Sequence, residues 1–70
     1  MNRLPVNSSV LRSVGYEDLT ATLEIEFQNG SIYEYRDVPR DIHANLMSAA
    51  SKGQYFDAAI RKSYQCQRVL

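Results

Sequence analysis

Few side chains in this sequence can move protons or electrons near neutral pH. There is one histidine, His43, and one cysteine, Cys66. A histidine acts as a general base only with a nucleophile and an orienting acid within hydrogen-bond reach. Met47 lies one helical turn from His43, and Asp41 falls on a different helix face. His43 is therefore expected to be a half-exposed surface residue. Cys66 stands beside Arg68, and a nearby cation lowers a thiol pKa. No base or fixed pocket accompanies it, so it reads as a spectator. Ser8-Ser9 reads as a turn or strand entry rather than a nucleophile. One histidine and one cysteine cannot assemble a zinc cluster. Glu24 and Glu26 alternate on one strand face, the ordinary solvated pattern. No phosphate-cradling glycine loop is present. The expectation is a non-enzyme with no catalytic residue, no cofactor, no metal and no small-molecule substrate.

Binding chemistry is better represented. Eight basic and eight acidic residues balance, but they are unevenly placed. Residues 1–16 carry Arg3 and Arg12, a net +2. Residues 17–41 carry seven acids against Arg36 and Arg40, a net −5. Residues 52–70 carry Lys52, Arg61, Lys62 and Arg68 against Asp57, a net +3. Phosphate binding needs cations, and base binding needs aromatic rings or guanidinium planes. Lys52, Arg61, Lys62 and Arg68, with Tyr55 and Tyr64 interleaved, supply both types. They are the expected nucleic-acid contacts, against the alternative that they form a solvated face. Complementarity between the acidic middle and the basic tail fits a second reading, a homodimer or a protein-docking module. A monomer with charge-blunted edges is the plain alternative.

The elements that hold these residues can be read from periodicity. Val10–Tyr16 is expected to be a strand, with Gly15 marking a bulge or a close backbone approach. Thr22–Phe27 alternates, with Leu23, Ile25 and Phe27 on one face. Asn29-Gly30 is a hairpin signal, and Ser31–Tyr35 returns as a third strand. Two registers are open. A two-residue turn pairs Phe27 with Ile32, puts Tyr33 and Tyr35 outside and drives Glu34 into the core. A type I turn with a glycine bulge pairs Phe27 with Ser31 and sets Tyr33 opposite Ile25. The second is preferred, because it spares a lone buried carboxylate. Only the first would offer Tyr33 and Tyr35 to bases.

Val38-Pro39 then opens a helix, with Pro39 suited to its first position and Asp41 to its positive end. Ile42, Leu46, Ala49 and Ala50 make its apolar stripe, and Gly53 is a stop signal. A second helix is expected from about Tyr55 to Tyr64, with a competing Ser51–Gln54 cap before it. The fold class is α+β, a three-stranded antiparallel meander followed by two helices on one face. The expected core is Leu23, Ile25, Phe27, Ile42, Leu46, Phe56 and Ile60.

The order of these residues resembles a known family. Ser8-Ser9, Gly15-Tyr16, Leu23-Glu24-Ile25-Glu26-Phe27, Asn29-Gly30, Tyr33-Glu34-Tyr35, Val38-Pro39, Ser51-Lys52-Gly53-Gln54-Tyr55-Phe56-Asp57 and Ile60-Arg61 together look like the KTSC domain. The likeness spans about residues 6–64. That family takes its name from the carboxy-terminal end of some lysyl-tRNA synthetases and includes free-standing bacterial and phage proteins. The resemblance implies that Tyr33 and Tyr35 form the family's tyrosine-x-tyrosine motif, and its synthetase context suggests RNA as a partner. Asp57 replaces a more usual asparagine, and Leu19 a more usual polar residue.

Seventy residues allow a single domain, residues 1–70, with a thin core and short flexible ends. A lone thiol, no apolar leader at Met1–Pro5 and no membrane-length apolar run point to a cytoplasmic protein.

Overall fold

The computed structural model describes residues 1–70. In chain order the elements are β1 (Leu4–Pro5), β2 (Leu11–Glu17), β3 (Thr22–Phe27), β4 (Ile32–Tyr35), α1 (Arg40–Ser48), α2 (Lys52–Ala59) and β5 (Cys66–Arg68). The strands form one antiparallel sheet in the order β1-β2-β3-β4-β5, and the helices pack on one face. The class is α+β as expected, but the sheet has five strands, four of them before the helices, not three. The two extra strands are short and terminal. They occupy the open edges of β2 and β4. No helix is long and apolar enough to cross a membrane.

The hairpin takes the glycine-bulge register. Phe27 N–H donates to the Ser31 carbonyl at 2.9 Å, and Gly30 N–H donates to the Phe27 carbonyl at 2.9 Å. Gly30 has φ +91°, a conformation that costs a side-chain-bearing residue energy. Asn29 Oδ1 locks the turn by accepting from Ser31 N–H (3.0 Å) and Ser31 Oγ (2.7 Å). Tyr33 then lies opposite Ile25 and Tyr35 opposite Leu23, with Glu34 facing outward across from Glu24.

Gly15 is a close approach rather than a bulge. A Cβ there would sit 2.8 Å from the Asn2 carbonyl oxygen, so the amino-terminal segment can cross the outer sheet face only over a glycine. The register shift falls between Leu11 and Ser13 instead. That crossing brings Arg3 onto Glu24, whose carboxylate is 8% exposed and ion-paired with it. Arg3 Nε also donates to Ser13 Oγ (3.0 Å), and Ser13 Oγ donates to Glu26 Oε1 (2.8 Å). Glu24 and Glu26 thus point outward, yet Glu24 is enclosed rather than solvated. A buried carboxylate is tolerable here because it is paired.

Both helices end earlier than periodicity suggests, and while α1 starts one residue late, α2 starts early. Pro39 is the residue before α1, and no side chain caps that end. Ala49 turns extended, so Ala50 is exposed and the helix never reaches Gly53. Ser51 accepts from Gln54 N–H at 3.3 Å and starts α2 three residues ahead of the expected Tyr55. Gly53 therefore stops nothing. It lies inside α2, where a Cβ would meet the Val10 side chain at 3.0 Å. Between sheet and helices sit Leu11, Val14, Leu23, Ile25, Tyr35, Val38, Leu46, Phe56 and Ile60. Phe27 and Ile42, expected in the core, are half-buried at its edge.

Candidate functional site

Alternation along β4 sends Tyr33 and Tyr35 to the helix-facing side of the sheet, and Phe27 of β3 projects the same way. Phe56 of α2 meets them. Phe27 lies edge-on to Phe56 (centroids 5.4 Å apart) and to Tyr33 (5.7 Å), and Tyr35 lies edge-on to Phe56 (5.4 Å). Edge-to-face contact is the favoured geometry for such rings. The Arg61 guanidinium caps the cluster, 5.4 Å from the Phe56 centroid, and its Nε pairs with Asp57 Oδ1 at 2.7 Å.

Phe27, Tyr33 and Tyr35 line an open groove of about 470 Å³ together with Val10, Gln28, Ser31 and Arg61. Tyr33 is half-buried and Tyr35 only 4% exposed. Burial drives the Tyr35 phenol up to about 12, helped by the neighbouring Cys66 and opposed by Arg61. Arg68 of β5 pairs directly opposite Tyr33, so its side chain leaves the sheet on the groove side. The preferred register was expected to withdraw both tyrosines from any ligand. It withdraws Tyr35 but leaves Tyr33 lining the groove.

The expected basic contacts do not form one continuous surface. Arg61 lines the groove, Arg68 lies across from Tyr33 with its Nε donating to the Leu70 carbonyl at 3.1 Å, and Lys62 next to Arg61 in sequence is exposed. Tyr64 turns inward against the core. Lys52 sits at the other end of α2, where Nζ donates to the Ala49 carbonyl at 3.1 Å. It borders a separate concavity of about 410 Å³ shared with Ser8, Ser9, Gln54 and Asp57. Sequence reading missed Val10 and Gln28 as groove residues. Their approach depends on Ser8, whose Oγ accepts from Val10 and Leu11 N–H at 3.1 Å each and folds the entry loop back.

The remaining reactive groups are scattered. His43 is half-buried and stacked on Tyr16, with ring centroids 4.7 Å apart and planes inclined by 10°. Burial lowers its pKa, and Asp18 partly offsets this. Tyr16 donates its hydroxyl to the Val38 carbonyl at 2.6 Å, so the stack ties β2 to the start of α1. Cys66 is exposed on β5, next to Tyr35. No three His, Cys, Asp or Glu side chains gather where they could hold a metal ion.

The KTSC domain family model matches residues 7–64 of this chain. A lysine–tRNA ligase of Nostoc punctiforme is 39% identical over 66 residues, which are 94% of this chain and 12% of the ligase. The chain thus spans about an eighth of the length of that relative. An uncharacterised protein of Stutzerimonas stutzeri is 36% identical over 64 residues, 91% of this chain and 90% of that one. The crystal structure of a KTSC domain protein from Yersinia pestis superposes with a TM-score of 0.94 at 41% identity, covering 99% of this chain and 97% of the other.

Proposed function

The chain belongs to the KTSC domain family, and on that premise we propose that it is a non-catalytic RNA-binding domain of the cytoplasm, with its contacts on the groove side of α2 and β5. The observation that carries this reading is that Arg61 and the partly open Tyr33 line one groove, with Arg68 paired across the sheet from Tyr33. Cations with an accessible aromatic ring are what RNA asks of a protein surface. The opposite sheet face is unsuited, because its cations Arg3 and Arg12 are already engaged by Glu24 and Glu26, and Glu34 stands there against phosphate. Relatives that are lysine–tRNA ligases, proteins named for acting on an RNA, add support of context.

The test is an amide-shift titration of the whole chain with a short RNA at low salt. Amides around Arg61, Lys62 and Arg68 shift, and binding weakens as salt rises with a log–log slope of roughly −2, as three neutralised phosphates of a single strand require. Replacing Lys62 or Arg68 by glutamine flattens that slope by roughly one unit or less. Silence at those amides with millimolar RNA refutes the reading.

A further inference from the structure

We propose that the groove beside β4 holds one unpaired RNA base against the Tyr33 ring, which makes single strands and not duplexes the ligand. This rests on the RNA reading above and narrows it. Tyr33 has a single ring neighbour, Phe27, held edge-on at 82°, and no ring stacks on it. Of the other rings lining the groove, Tyr35 is only 4% exposed, and Phe27 is engaged in edge contacts with both Tyr33 and Phe56. The groove, about 470 Å³, lies in the size range of sites for small planar ligands.

Its rim carries unspent hydrogen-bonding groups. Gln28 uses its amide nitrogen on the Ser8 and Leu11 carbonyls (3.0 and 3.2 Å), which fixes the side chain and leaves Oε1 as an acceptor. Asn29 uses Oδ1 on Ser31, which leaves Nδ2 as a donor. A donor and an acceptor beside a stacking ring match the edge and face of an exposed base. Arg68 and Lys62 supply cations for the flanking phosphates, while Asp57 already neutralises part of the Arg61 charge. A duplex hides its base faces within the helix and presents nothing for Tyr33 to stack on.

The labelled chain is titrated with an eight-nucleotide single-stranded oligouridine and, separately, with a blunt RNA hairpin of eight base pairs closed by a non-nucleotide linker, at the same salt. The single strand is expected to shift the Ser31, Tyr33 and Arg61 amides and to bind at least about tenfold more tightly than the hairpin. Tyr33→Leu weakens single-strand binding by about tenfold, the loss of one stacked base. Tyr33→Phe keeps the affinity and shows that the ring, not a general loss of structure, is responsible. Hairpin binding as tight as the single strand's and indifferent to Tyr33→Leu overturns this inference and leaves the RNA reading standing. Single-strand shifts confined to Lys52–Gln54 also overturn it. No shift with either RNA overturns both.

Discussion

Tyr33 and Tyr35 are two residues apart on one strand face, yet their surroundings differ. Tyr35 is enclosed by Phe56 and its neighbours, which raises its pKa to about 12, while Tyr33 stays partly open. A raised phenol pKa stabilises the folded state fully below the unfolded value of about 10, and the contribution is lost as pH rises through about 12. Denaturant unfolding is therefore expected to show stability falling from about pH 10 to about pH 12. Tyr35→Phe should remove much of that fall, and an unchanged slope in the variant would contradict the assignment. His43 illustrates the limit of reading residues singly. Its sequence neighbours suggested a surface side chain, and nothing local announces a stack on Tyr16, which lies on a different element. The alternation that places Tyr33 beside Phe27 was, in contrast, legible once the turn was known, because period two leaves only two choices.

At the scale of elements, the turn chemistry was readable and the ends were not. Asn29-Gly30 and the penalty for an enclosed Glu34 together selected the register that the hydrogen bonds show. The strands β1 and β5 were missed because two and three residues carry no periodic signal, and Pro5 argues against a strand except at a sheet edge. Helix boundaries failed at Gly53, where two cues competed and the Ser51 cap prevailed. The glycine serves contact with Val10 instead. Alanine in a helix interior is normally favoured over glycine by about 1 kcal/mol. Gly53→Ala is expected to forfeit most of that gain against Val10 and to recover part of it in a Val10→Ala background, where the 3.0 Å approach to the Val10 methyl is gone and only the 3.2 Å approach to its Cβ remains. A thermal or urea cycle of the four variants measures the coupling as roughly 0.5–1 kcal/mol. Strict additivity would show that the close approach has no energetic role.

Taken as a whole molecule, the chain balances a small apolar centre with a polar outer face that is largely self-paired. The acidic middle of the sequence looked like an open anionic surface, but Arg3 and Arg12 return from the amino-terminal part to Glu24 and Glu26. Linear charge counting cannot see such pairing, because it depends on where β1 folds back. Phe56 joins the core to the groove through edge contacts with Phe27 and Tyr35. Phe56→Ala should cost about 3–5 kcal/mol, a large part of the 5–15 kcal/mol typical of a domain. Urea unfolding measures this, and a loss below about 1 kcal/mol would refute the packing described. The strand order has a mechanical consequence as well. Strands β1 and β5 form opposite flanks of the sheet, four interstrand spacings or about 19 Å apart, while Met1 folds back over Gly15 on the outer face. Force applied between β1 and β5 acts across the strands and peels the hydrogen-bonded ladders one after another. Stretched between two anchors, such a module is a soft, extensible link rather than a rigid strut.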